Sequence, residues 1–195
     1  GILLASVLVS GQGITFKINS VVYFWISASF VLALIGLPWN IGGIRNQIYI
    51  KGVRKTLSLI GIGLLFGILI VPFFVAEPGI EFVRGSAQFT LFAIIIGQIQ
   101  ISIAEEILFR GYLLTYLKKY GFNLQYAILF QSLIFTVFHI QRYQDNWIML
   151  FVIFLFGVLA AYLTWKSDNL IPASLMHVVV NVFTVVWLLL FGAGL

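Results

Sequence analysis

The sequence AEEILFRGY, at residues 104–112, places two glutamates and an arginine inside a long run of apolar residues. As one helix, residues 89–120 would extend about 48 Å at about 1.5 Å per residue, which exceeds the roughly 30 Å hydrocarbon core of a bilayer. An ionisable side chain within such a segment costs roughly 2.5–3.5 kcal/mol even on the most lenient insertion scale. Because that cost usually marks a functional site, we expect the neighbouring segments to pack around this stretch.

The two glutamates are predicted to have different partners. Glu106 and Arg110 are four residues apart, so they can form an intrahelical ion pair, whereas Glu105 lies about 100° further round the helix. One carboxylate is therefore neutralised and the other is free to act as a base. A buried Glu–Arg pair that only fixes helix packing is the alternative. Three further polar residues share the face of Glu105: Gln98, Ser102 and Tyr112.

The composition is that of a polytopic membrane protein. Of the 195 residues 62% are hydrophobic and 9% are charged, against about 45–50% and about 25% in soluble domains. The net charge of +5 is concentrated in short loops, which favours the positive-inside rule over nucleic-acid binding. The absence of cysteine excludes disulfides, thiolate catalysis and thiolate metal ligands.

The predicted fold is all-α: a single integral-membrane domain over residues 1–195, formed by a transmembrane helical bundle of about six spans. A short apolar stub at residues 2–9 lies before the first span. The third span is too long for the bilayer, so its C-terminal part must project into the cytoplasm or the segment must break. Loop 41–56 carries the densest basic cluster and is predicted to be cytoplasmic. The predicted spans are residues 20–38, 57–76, 89–120, 124–141, 147–165 and 170–191.

Both histidines fall within predicted spans. His139 follows Phe135 by one turn, and His177 shares a face with Ser174 and Asn181. A lone histidine in an apolar helix is more often a packing residue than a catalyst. Here, however, three helices each present a polar face, and intramembrane polar residues usually face one another or a water-filled cavity.

The depths of these residues agree only roughly. Counted from the inner helix ends, Glu105 and His139 lie about 20 Å deep, whereas His177 lies about 12 Å deep. Convergence of the three side chains therefore requires helix tilt or a helix break.

Water activation is the chemistry that best suits these residues. The chain has no cysteine and its serines lack a triad pattern, so a protein nucleophile is disfavoured. A carboxylate beside an imidazole can instead hold and deprotonate water, which makes Glu105 and His139 the candidate pair. An attack on a peptide carbonyl also needs hydrogen-bond donors for the oxyanion, and His177 and Asn181 suit that role.

These residues resemble a known family. Three ordered motifs, Glu105-Glu106-x-x-x-Arg110, Phe135-x-x-x-His139 and His177-x-x-x-Asn181, are similar to those of the CPBP (CAAX protease and bacteriocin-processing, or Abi) family of intramembrane proteases. The resemblance covers residues 105–181. It implies that Glu105 and His139 activate water without a covalent intermediate and that His177 and Asn181 form the oxyanion site. Glu106 and Arg110, which complete the predicted site, would position the backbone and set the local field.

Metal dependence is open within the resemblance, because members have also been described as metalloproteases. Glu105, Glu106, His139 and His177 could supply zinc ligands. Two histidines on separate helices without H-E-x-x-H, however, are a poor zinc signature. We therefore expect hydrolysis without a metal or other cofactor, with zinc as the alternative.

The resemblance also implies a membrane-anchored or lipidated peptide as substrate, such as a prenylated CAAX tail or a leader peptide, with the lipid bilayer as the other partner. The short loops and compact size are typical of bacterial members, so we expect a bacterial cytoplasmic membrane. Two other functions compete with proteolysis. One is a non-catalytic scaffold or bacteriocin-immunity protein that keeps the fold. The other is a proton-coupled transporter, which would predict an internal repeat that the sequence does not show.

Overall fold

The computed structural model describes residues 53–75, 91–143 and 146–191, and the regular structure in these ranges is helical throughout. The predicted stub at 2–9 and the first predicted span at 20–38 lie outside the described residues. The helices are α1 (Val53–Val75), α2 (Leu91–Glu106), a π-helical segment (Ile107–Leu114), α3 (Thr115–Lys119), α4 (Leu124–Tyr143), α5 (Trp147–Ser167) and α6 (Ile171–Phe191).

The helical membrane-type fold agrees with the prediction, although the number of spans does not follow from the structure. Among the described residues, two segments are long and apolar enough to cross a bilayer, Val53–Phe74 and Trp147–Ser167. Shorter apolar stretches occupy Leu124–Ile140 and Ile171–Trp187. The count of six spans stays a prediction.

Helix α1 begins inside the loop that was predicted at 41–56. Its first turn contains Arg54 and Lys55, and both side chains are exposed. The predicted loop boundary is wrong here, because a charge pattern shows where the apolar core ends and not where backbone hydrogen bonding ends.

Close backbone contact joins α1 to α6. A Cβ added at Gly63 would lie 3.1 Å from the carbonyl oxygen of Pro172, and one at Gly67 would lie 3.1 Å from that of Met176. Small residues permit such an approach between membrane helices. Because the order of the contacts is the same along both helices, α1 and α6 run parallel.

Helices α4 and α5 form a hairpin. Gly157 of α5 approaches Ser132 of α4 so closely that an added Cβ would lie 3.1 Å from the serine Cβ. Asn146 caps α5 by accepting a hydrogen bond from the backbone N–H of Met149 at 2.9 Å. This capping satisfies one of the orphan donors of the first turn.

The predicted segment 89–120 is helical without interruption from Leu91 to Lys119, but its winding changes partway along. Helix α2 ends at Glu106, and the wider turns of the π-helical segment follow at once. Five residues of this segment are buried: Ile107, Phe109, Arg110, Gly111 and Leu114. Single π-helical turns inside α-helices are frequent at functional sites.

Large apolar side chains cover the outer faces of the helices. Leu65 of α1 is 62% exposed and Trp147 of α5 is 77% exposed. Such surfaces suit a hydrocarbon solvent, in which the backbone must satisfy its own hydrogen bonds as these helices do.

Candidate active site

Glu106 and Arg110 form the predicted ion pair. The guanidinium Nη1 donates to Glu106 Oε1 at 2.9 Å, and both side chains are fully buried. The guanidinium carbon also lies 4.4 Å from the ring centre of Phe135, and 5.9 Å from those of Phe109 and Phe156. Cation–π contacts of this kind are strongest where water is excluded. The arginine is therefore held by a carboxylate and three aromatic rings.

Helices α4 and α5 provide a second anchor for Arg110. Its Nη2 donates to the carbonyl oxygen of Gly157 at 3.4 Å, and Nε2 of buried Gln131 donates to the same oxygen at 3.2 Å. Gln131 was not among the residues predicted from the sequence to belong to the site. Its spacing could have identified it, because it precedes Phe135 by four residues and His139 by eight, which places it on their helix face.

His177 bridges the two glutamates. Its Nδ1 lies 2.7 Å from Glu106 Oε1, and its Nε2 lies 3.7 Å from Glu105 Oε2. Because a carboxylate accepts hydrogen bonds, the partner assigns the Nδ1 proton to the histidine. The Nε2 atom then carries a lone pair unless the ring is protonated. The sequence predicted Arg110 as the partner of Glu106 but not this second one.

His139 faces Glu105 from α4. Its Nε2 lies 3.9 Å from Glu105 Oε2, and its Nδ1 lies 2.8 Å from the carbonyl oxygen of Phe135. That carbonyl can only accept, so Nδ1 donates, and Nε2 is the ring nitrogen that faces the carboxylate. The Glu105 and His139 side chains are 25% and 20% exposed. They are thus more accessible than the fully buried Glu106.

The structure brings Glu105, His139 and His177 together despite their different estimated depths. Helix tilt or a helix break was expected to close the gap, and the structure has instead a π-helical segment at Ile107–Leu114, directly after the glutamates. A segment with wider turns rises less per residue, so counting along a straight α-helix overestimates the depth of Glu105.

Asn181 lies one turn beyond His177, on the same face of α6, as predicted. Its Nδ2 donates to Ser102 Oγ at 3.0 Å. Ser102 precedes Glu105 by one turn, whereas Asn181 follows His177, so α2 and α6 run antiparallel.

Tyr112 departs from the predicted polar face. It lies in the π-helical segment, and its ring packs against the cluster of Ala104, Ile107 and Leu170. The wider turns of this segment change its angular position relative to Glu105.

Metal ligation was the alternative chemistry for these side chains. In the described parts of the chain, no group of three or more His, Asp or Glu residues forms a metal-ion site.

The family model described as "Type II CAAX prenyl endopeptidase Rce1-like" matches residues 86–183, which is half of the 195-residue chain. The match includes all six predicted site residues. It covers helices α2 to α5 completely and most of α6. No curated protein and no solved structure shows significant similarity to the chain. With its apolar helices, the chain is an integral membrane protein. It belongs to the type II CAAX prenyl endopeptidase Rce1-like family.

Proposed function

We propose that the protein is an intramembrane endopeptidase that hydrolyses a peptide bond with water activated by Glu105 and His139. The observation that supports this most directly is the geometry around Glu105 Oε2, which faces His139 Nε2 at 3.9 Å and His177 Nε2 at 3.7 Å. Both separations are well beyond the about 2.9–3.0 Å that is usual between donor and acceptor in a direct N–H···O bond. Polar groups at such separations are commonly bridged by water.

Glu105 acts as the base in this proposal. The attacking water donates one hydrogen bond to the Glu105 carboxylate and a second to the Nε2 lone pair of His139. As the water oxygen bonds to the carbonyl carbon, Glu105 takes its proton. When the C–N bond breaks, that proton passes to the departing amine, so the enzyme returns to its starting state.

Asn181 and His177 stabilise the oxyanion in this proposal. An amide N–H of Asn181 donates directly. His177 Nε2 donates only when its ring is protonated, because Nδ1 already carries the proton directed at Glu106 Oε1. Glu106 stabilises that imidazolium, and Arg110 keeps Glu106 in place. Glu106 and Arg110 are thus positioning residues.

The proposed reaction uses no metal or other cofactor. Purified active enzyme should therefore carry no stoichiometric zinc and should keep its activity in chelator. Stoichiometric zinc, with activity lost on chelation and restored by zinc, would overturn this part of the proposal.

The proposed substrate is a membrane-anchored or lipidated peptide presented from the bilayer, and nucleic acid is not a partner. The family description names a CAAX prenyl endopeptidase, which makes a prenylated CAAX tail the first peptide to test. Leader peptides anchored in the membrane are the second class, and they would agree with a bacterial cytoplasmic membrane.

A cleavage assay in detergent micelles tests the function. It compares a fluorogenic prenylated CAAX peptide with a library of membrane-anchored peptides, using wild type, Glu105→Gln and His139→Ala. A matched control on the same helix is Gln100→Ala. Wild type and the control should cleave, and the two site variants should be folded but inactive. Full activity in either site variant contradicts water activation by this pair, and no cleavage by folded wild type favours the scaffold or immunity protein.

A further inference from the structure

Ser102 is a fully buried polar residue on α2 to which the proposed mechanism gives no role. Its hydroxyl donates to the carbonyl oxygen of Gln98 at 2.8 Å, and it accepts a hydrogen bond from Asn181 Nδ2 at 3.0 Å. It is thus the link between α2 and the side chain proposed to stabilise the oxyanion.

The number of hydrogens on the Ser102 hydroxyl decides which group donates in the hydrogen bond between Ser102 and Asn181. A serine hydroxyl has one hydrogen, and a backbone carbonyl can only accept. Because Ser102 uses its hydrogen on Gln98, it can offer Asn181 only lone pairs. The amide oxygen of Asn181 would be repelled by those lone pairs, so the amide nitrogen must face the serine.

The orientation of the Asn181 amide matters for catalysis. An NH₂ group has two hydrogens, and one of them is used on Ser102. The second is then available to an oxyanion on the same side of the amide. If the amide rotated by 180°, its oxygen would take the place of the donor and would repel the oxyanion.

We propose that Ser102 is a positioning residue that holds the Asn181 side chain with its N–H directed at the oxyanion site. This inference rests on the proposed function, because it assigns Asn181 the oxyanion role. It predicts that the Ser102 hydroxyl affects turnover through Asn181 and does not affect substrate binding.

Kinetics of single and double variants test this. Ser102→Ala should lower kcat roughly 5- to 10-fold, the effect of losing one ordinary hydrogen bond, at unchanged KM. Asn181→Ala should lower kcat by about 10²–10³. In the Asn181→Ala background, Ser102→Ala should have no further effect on kcat. Ser102→Thr retains the hydroxyl and should restore most of the turnover.

Ser167→Ala is the matched control. Ser167 is also buried, and its hydroxyl donates to the carbonyl oxygen of Leu163, four residues earlier, at 2.7 Å. It reports the effect of removing a buried serine hydroxyl away from the site, and it should leave kcat unchanged.

An activity-independent readout separates failure of this inference from failure of the proposed function. In protein labelled with ¹⁵N-asparagine, the side-chain amide signals of Asn181 are identified by their absence in Asn181→Ala. These signals should shift in Ser102→Ala and not in Ser167→Ala. Unchanged signals overturn the inference whether or not the enzyme cleaves. Additive losses in the double variant, or an effect confined to KM, overturn it as well.

Discussion

Glu106 receives two hydrogen bonds on one carboxylate oxygen, from Arg110 at 2.9 Å and from His177 at 2.7 Å. None of these three side chains is more than 6% exposed. Charged groups in such surroundings are stable only when they are paired, since removing one partner leaves an uncompensated charge. At the residue scale, Glu106, Arg110 and His177 therefore depend on one another for their stability in the buried site.

Removing the arginine tests this dependence. Arg110→Met should lower the free energy of unfolding by about 3–5 kcal/mol, because Glu106 then keeps only His177 as a partner. Denaturant titration in detergent measures the change. The double variant Glu106→Gln with Arg110→Met should be more stable than Arg110→Met alone. Wild-type stability in the single variant would contradict the buried ion pair.

The two nitrogens of His177 can be separated by substitution. His177→Asn can keep an N–H near the Nδ1 position for Glu106, but it has no atom at the Nε2 position. We expect this variant to be near wild type in stability and at least 10²-fold slower, the effect of losing one oxyanion donor. His177→Ala should lose stability as well. Wild-type turnover in His177→Asn would show that Nε2 is dispensable.

At the scale of elements, two features position the side chains of the candidate site. The π-helical segment begins immediately after Glu106. Helix α6, which carries His177, packs closely against α1 at Gly63 and Gly67. Met176, whose backbone contacts Gly67, directly precedes His177, so the packing of α1 sets the position of a site residue on the neighbouring helix.

A pair of glycine substitutions tests this packing. A Cβ at Gly67 would lie 3.1 Å from the carbonyl oxygen of Met176, whereas nothing lies within 4 Å of one at Gly61. Gly67→Ala should lower the unfolding free energy by about 1–3 kcal/mol through overpacking and should also reduce cleavage. Gly61→Ala should be neutral or stabilising by up to about 1 kcal/mol. Equal effects in the two variants would contradict the close contact.

At the scale of the whole molecule, the directions of the helices agree with an alternating topology. Helices α1 and α6 run parallel, and α2 runs antiparallel to α6, as required if chain segments cross the bilayer in the predicted order. The basic first turn of α1 with the residues before it, and the end of α3, should then face the cytoplasm, with residues 144–146 on the opposite side.

The chain contains no cysteine, so single-cysteine variants report accessibility without background. Arg45→Cys and Lys119→Cys should react with a membrane-impermeant thiol reagent only from the cytoplasmic side. Gln144→Cys should react only from the other side. Labelling of Lys119→Cys and Gln144→Cys from the same side would contradict the topology.

Local geometry made part of this protein predictable. Apolar runs indicated the helical segments, and the four-residue spacing of Glu106 and Arg110 indicated their ion pair, because both depend on the helical period alone. The polar faces carrying His139, His177 and Asn181 were identifiable for the same reason. The length of residues 89–120 predicted either a projection into the cytoplasm or a break, but it did not predict the π-helical winding at Ile107–Leu114.

Only the tertiary structure decided which polar faces meet. His177 and Glu106 are 71 residues apart, and Asn181 and Ser102 are 79 apart. Helical periodicity indicates that a side chain lies on a given face, but packing of helix against helix selects its partner. The same limit hid the pairing of Gln131 with the carbonyl oxygen of Gly157, which depends on the close approach of α4 to α5.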